Sequence, residues 1–385
     1  MTVTSTISPS LKIGLRFLGM WPNESHPIIY IYMSGILITE YFQYLYISTH
    51  FKLNELSNLV DSLMAILVYT LTFLKLASLW IHRPIIHKIL AAMDNDWHEC
   101  INVKQHLCVM TFKANLSHFC SNSILSICVF SSMLYILGDY IIRIVHLVED
   151  RNITLRKLPI KIQLPFEAEH SPTFELLLII LLLLLLANSF TLGIVNALIS
   201  SLVLHLSGQI DIICHEFKTV SEQISIYGSS KSTLKRLIKK HNRIILFSDN
   251  IEKLFSFIAL MQVFWDTLII CCLGIIIIIS FYNEAGLFML AKVSLAYTTI
   301  MLEIFLFCFA GEYISIKSKL ITEAAYDMSW YDMSSKQGKS IMLIIMKSQM
   351  RLTITAGRFM NLSLETFTNI MKTSLSFMSV FHAIY

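Results

Sequence analysis

The chain has 385 residues, of which 55% are hydrophobic and only 15% charged, with a mean hydropathy of +0.64. Ordinary globular domains carry nearer ~25% charged residues, so the composition excludes a soluble enzyme domain and describes a polytopic membrane protein. A net charge of +4 is too small to mark a nucleic-acid binder, because basic residues in a membrane protein are placed by topology.

The first 22 residues, MTVTSTISPSLKIGLRFLGMWP, hold neither a continuous apolar stretch nor a small-residue cleavage site, so they do not read as a cleaved signal peptide. Seven segments then carry enough apolar residues for a hydrocarbon core that takes about 20 helical residues to cross. They are 27–48, 58–81, 119–142, 173–205, 255–283, 287–311 and 358–385. The fourth, containing LLLIILLLLLL, exceeds one membrane thickness. The expected fold is therefore all-α, with seven transmembrane helices. Residues 1–205 supply the N-terminal tail and helices one to four, a ligand-binding bundle. Residues 206–385 supply cytosolic anchor helices and spans five to seven.

Seven spans put the termini on opposite sides. With the N-terminus in the cytosol, 21 of the 30 Lys/Arg fall on the inner side and 6 on the outer, with three inside spans. The positive-inside bias thus favours a cytosolic N-terminus and an extracellular C-terminus. The second outer loop carries five of those six. It also holds the sequon Asn152-Ile153-Thr154, a candidate glycosylation site at Asn152.

Between spans four and five, Leu234, Leu237, Ile238, His241, Ile244, Ile245 and Ile251 keep a helical period, while Lys235, Arg236, Lys239, Lys240 and Arg243 fill the other face. Such a helix either lies on lipid headgroups or packs on partner helices; its direct run into the fifth span favours packing. Ile341 to Met346 reads as a second cytosolic packing helix.

No Walker loop, dinucleotide-binding glycine pattern or zinc spacing occurs, so no enzyme, cofactor or metal site is expected. Ionisable residues inside spans are the informative exceptions. Asp61, Lys75, Asp139 and Lys292 lie near span ends, where they can snorkel, whereas Asp266, Glu303 and Glu365 call for buried pairing or an ion path.

Two further features point to sites. Aromatic and Met side chains in the outer halves of spans two, three, four and six suit a pocket for a small apolar molecule. The candidates are Tyr69, Phe130, Met133, Leu134, Leu137, Phe174, Tyr297 and Ile300, with packing or lipid contact as the plainer reading. In the last span Thr366, Asn369, Thr373, Ser376 and Val380 are spaced 3, 4, 3 and 4 apart and share one face. A polar stripe on a spanning helix either bonds neighbouring helices or, repeated about an axis, lines a water-filled pore.

EAAYDMSWYDM (Glu323 to Met333), KSQM (Lys347 to Met350), AGRFMNLSLETFTNIMKTSLSFMSVF (Ala356 to Phe381) and KKHNRIILFSDNIEKLFSFIALMQVFWDTLIICCLG (Lys239 to Gly274) resemble the signatures of insect odorant receptors. That resemblance implies a tetrameric, odorant-gated, nonselective cation channel with a central pore lined by the last span. It implies assembly with the Orco co-receptor, a volatile odorant as ligand, and the plasma membrane of olfactory sensory neurons as location. The short connection between spans four and five makes this chain similar to a tuning subunit rather than to Orco. Where the family often has Ser-Tyr-Phe, this chain has Ser374-Leu375-Ser376-Phe377. A G-protein-coupled chemoreceptor, a related gustatory receptor and a secondary transporter are the rival classes. The Asp-Arg-Tyr and Asn-Pro-x-x-Tyr motifs of the first, the Thr-Tyr…Gln-Phe signature of the second and the broken, repeated helices of the third are all missing from the sequence.

Overall fold

The computed structural model describes residues 5–22, 27–50, 56–149, 158–165, 170–227, 231–282, 287–328 and 330–384. Ten helices form the described chain: α1 (Pro9–Phe17), α2 (Ile28–Thr49), α3 (Leu56–Ile81), α4 (Arg83–Ile101), α5 (Lys104–Glu149), α6 (Thr173–Tyr227), α7 (Lys231–Tyr282), α8 (Leu287–Tyr326), α9 (Ser335–Ser348) and α10 (Leu364–Ile384). Two-residue strands β1 (Thr355–Ala356) and β2 (Met360–Asn361) pair antiparallel just before α10.

Local chemistry sets several of these boundaries. Ser8 caps α1, accepting from the Leu11 amide at 3.2 Å, with Pro9 in the first turn. The same helix ends on Gly19 at φ +67, where the Met20 amide donates to the Leu15 carbonyl and the Gly19 amide to that of Arg16. This is a Schellman closure, which needs the left-handed conformation that glycine takes without a Cβ penalty. Pro84 opens α4 and breaks it from α3.

Helix α6 is the axis of the packing. At 55 residues it runs about 80 Å, far beyond a ~30 Å hydrocarbon core. It is continuous across residue 205, and α5, α8, α7, α3, α1 and α2 all pack on it. Helix α7 is likewise unbroken from the basic amphipathic stretch into its apolar half. Leu234, Leu237, His241, Ile244 and Ile251 are buried, so that stretch packs on protein rather than spreading on headgroups. Ile341 and Ile344 of α9 are also buried, against α8 and α7.

A charged base ties these extensions together. His205 Nε2 lies 3.1 Å from Asp96 Oδ2, and Arg243 Nε is 3.4 Å from the other Asp96 oxygen. The Thr6 hydroxyl lies 3.0 Å from His205 Nδ1 and accepts from Trp97 Nε1 at 3.1 Å, so the N-terminal segment is locked into the same network. Lys113 and Lys317 share Asp211 at 3.1 and 2.7 Å.

Among the described residues five helices are long and apolar enough to cross a membrane, over Ser62–Ile81, Lys104–Gly138, Thr173–Glu222, Ser232–Ile277 and Leu290–Tyr326. The expected first and last spans coincide with α2 and α10, which fall short of that apolarity. The last span also starts later than residue 358. The β1–β2 hairpin occupies its first residues, with Gly357 (φ +60) and Arg358 (φ 62) at the turn, which the Phe359 amide closes by donating to the Ala356 carbonyl at 3.1 Å. Glu252 of α7 anchors the hairpin by accepting from the Thr355 amide at 2.8 Å, and the Gly357 amide donates to the Ser256 carbonyl at 2.8 Å.

Candidate functional site: an internal cavity and an outward polar stripe

A cavity of about 280 Å³ opens between α3, α5, α6, α7 and α8, with the segment 158–161 at its edge. Each helix contributes one face, as the helical period requires. Helix α5 presents Cys128, Ser131, Ser132 and Tyr135, α6 presents Leu185, Asn188, Ser189 and Leu192, and α8 presents Lys292, Leu295, Ala296, Thr299 and Ile300. Val68 and Tyr69 of α3 and Ile269 and Leu273 of α7 complete the wall. The cavity therefore draws on residues before and after position 205.

Of the eight candidate ligand contacts, Tyr69 and Ile300 line this cavity. Phe130, Met133, Leu134 and Leu137 are exposed on the outer side of α5, rotated away from the Ser131–Ser132 face. Tyr297 packs between the hydrophobic clusters of the bundle, and Phe174 is half-buried near the α6 N-terminus; neither lines the cavity. The physical reason is the solvent. In lipid the long apolar side chains are stable outside, while small polar side chains gather where they meet protein. Asn188, Ser131, Ser132 and Thr299 escape a search for aromatic and Met residues for that reason. The lining residues Cys128, Ser131, Ser132 and Tyr135 of α5 and Leu185, Asn188, Ser189 and Leu192 of α6 recur at i, i+3, i+4 and i+7, and that spacing is the signal that locates the face. Asn152 lies outside the described residues.

One turn deeper the same helices carry charge. From the cavity residues Leu192, Ile269 and Thr299 the next residues on each face are Asn196, Asp266 and Glu303, joined by Gln262 and by Lys75 of α3. All five are buried. Asn196 Nδ2 donates to Glu303 Oε1 at 2.6 Å, and Gln262 Nε2 donates to Glu303 Oε2 at 3.0 Å and to Asp266. Lys75 Nζ stands 3.6 Å from Glu303 Oε1. Lys75 thus does not snorkel to a span end; it is drawn inward because an unpaired buried carboxylate costs far more. Lys292 also turns inward, its ammonium 4.1 Å from the centre of the Tyr135 ring.

Helix α10 packs on α7 and α8 through Ile370, Ser374 and Met378. At 100° per residue, Asn369, Thr373, Ser376 and Val380 fall on the opposite side, and all four are exposed. Thr366, at the start of the stripe, is half-buried. The Thr373 and Ser376 hydroxyls donate to the Asn369 and Lys372 carbonyls at 2.9 Å, which leaves their oxygen lone pairs facing outward. Among the described residues, no part of the chain itself covers this stripe.

A bundle of long apolar helices with buried charge, a cavity between them and an uncovered polar face describes a polytopic membrane protein. The 7tm Odorant receptor family model matches residues 55–375, and the chain belongs to that family. Relatives include Odorant receptor 22c of Drosophila melanogaster, 24% identical over 58% of this chain and 57% of its own length. Odorant receptor 13a of the same species is 27% identical over 40% of this chain and 38% of its own length. The chain spans about half the length of the curated relatives it matches. The olfactory receptor OR5 of Machilis hrabei has the same fold, with a TM-score of 0.74, 16% identity and 97% of each chain covered. Its complex with eugenol matches at a TM-score of 0.75.

Proposed function

We propose that the chain is a tuning subunit of an odorant-gated, nonselective cation channel. A volatile ligand binds in the cavity and favours an open arrangement of a pore built from α10. The observation that carries this reading is the polar stripe of α10, which faces away from its own protomer. Polar side chains on a spanning helix avoid lipid, and copies about a shared axis would give them water. The family membership and the Machilis receptor's eugenol complex support a small organic ligand in the cavity.

In this mechanism α2 and α10 act as the first and seventh spans, with the N-terminus in the cytosol as the 21-to-6 charge bias indicates. The cytosolic ends of α6 to α9, which the charged network holds together within each protomer, supply the contacts among subunits, in a tetramer with Orco in the plasma membrane of olfactory sensory neurons. Residues 1–205 hold most of the ligand bundle, and residues 206–385 hold the anchor and pore helix. A ligand burying apolar surface gains about 25 cal/mol per Å². It moves the gate only by the difference in its affinity for the closed and open forms. The cavity helices α7 and α8 are also the helices on which α10 rests, which gives that difference a route to the pore.

The test is electrophysiological. With Orco co-expressed, Ser376→Ala and Val380→Ala are expected to change the relative permeability of sodium and larger organic cations, without shifting the odorant concentration for half-maximal current by more than about threefold. Unchanged permeation in both variants contradicts the pore assignment.

A further inference from the structure

The cavity is lined with hydroxyls, yet most are already engaged. Ser132 donates to the Val129 carbonyl at 2.8 Å and Ser189 to that of Leu185 at 3.2 Å. Thr299 lies 2.9 Å from the Leu295 carbonyl and 3.2 Å from Ser131 Oγ. Two polar atoms stand apart from this pattern. The Tyr69 hydroxyl and the Asn188 side-chain carbonyl oxygen have no hydrogen-bond partner, and each residue is only 3% exposed. The neighbouring phenol of Tyr32 does not compete for them, since it is matched with Thr191 at 3.2 Å. Val68, Leu185, Leu192, Ile269 and Leu273 supply the apolar part of the wall, and Lys161 and Lys292 also line the cavity.

We propose that this chain selects hydroxyl-bearing volatiles, alcohols or phenols, over ethers, acids and hydrocarbons of the same skeleton, with Asn188 and Tyr69 as the specificity-determining pair. This rests on the cavity being the ligand site proposed above. A hydroxyl is both donor and acceptor at one oxygen. It can donate to the Asn188 carbonyl and accept from the Tyr69 phenol, or meet either one with the matching half of its capacity. An ether oxygen only accepts, so the Asn188 carbonyl stays unpaired in a site from which the ligand has expelled water. A hydrocarbon leaves both groups unpaired. Sites with buried polar groups discriminate against analogues lacking the partner more strongly than apolar pockets discriminate by size. An ionised acid has acceptor oxygens only, so beside the Asn188 carbonyl oxygen it donates nothing and meets like-signed partial charge.

The experiment compares benzyl alcohol, benzyl methyl ether, toluene and benzoic acid, and the matching series on a hexyl chain. Two readouts are taken: ligand-induced thermal stabilisation of the purified full-length chain, which needs no pore, and evoked current with Orco. The alcohol of at least one series is expected to act at concentrations at least ~10-fold below its ether and its acid, equivalent to about 1.4 kcal/mol. In Asn188→Leu and in Tyr69→Phe the alcohol-to-ether ratio is expected to fall toward one, a change that a purely structural role would not produce. Ether or acid equal to or better than alcohol in the wild-type chain overturns the proposal, whether or not either variant folds. So does a ratio that both variants keep, and so does a chain that binds other volatiles but none of these. A chain that no volatile stabilises or activates overturns the odorant-receptor reading beneath it instead.

Discussion

At the scale of single residues, the buried cluster beneath the cavity makes the sharpest demand on stability. Lys75 is the only cation facing Glu303 and Asp266 among the described contacts, and it is fully buried. Removing one partner of such a group leaves an uncompensated charge, which typically costs ~3–5 kcal/mol. Lys75→Met is therefore expected to lower the thermal unfolding temperature of the detergent-solubilised chain sharply. Adding Glu303→Gln should recover part of the loss, because the two changes act on one interaction. Additive losses from the two substitutions contradict the pairing. At the base, burial pushes the Cys100 thiol up to about 11. At neutral pH it is almost wholly protonated, so it should react with a thiolate-selective reagent far more slowly than the exposed Cys108, and faster as pH rises toward 11. Equal rates at neutral pH would show that α4 does not stay packed.

At the scale of elements, the joint that feeds α10 is tight. A Cβ added at Gly311 of α8 would collide with the Leu362 backbone carbonyl, and backbone yields less readily than a side chain. Gly311→Ala is expected to displace the hairpin and the start of α10, reducing evoked current while leaving ligand-induced thermal stabilisation in place. Loss of both together would place the defect in the fold instead. The long apolar helices α3, α5, α6, α7 and α8 were legible in the sequence because length and apolarity are local properties, whereas the shorter α1 and α4 were not expected. The hairpin at 355–361 was not, since its fixing contacts come from Glu252 and Ser256, about a hundred positions earlier. The face of α5 that lines the cavity was not legible for a related reason, since packing with other helices sets it. Phe130 and Met133 look like pocket residues, but the bilayer is an apolar solvent and leaves them on the outside.

At the scale of the whole molecule, the cavity, the charged cluster and the polar stripe occupy three separate places among the described residues. The cavity sits inside the bundle, the charged cluster lies beneath it, and the polar stripe of α10 points away from both. The stripe was readable from spacing alone; that it faces outward was not, because only the packing of Ile370, Ser374 and Met378 fixes the rotation of the helix. The measurement that tests this arrangement most directly is a cryo-electron-microscopy structure of the assembly purified with Orco. The expected result places Thr373, Ser376 and Val380 of every subunit around one central axis, facing water. Finding those side chains against lipid, or turned into their own protomer, contradicts it.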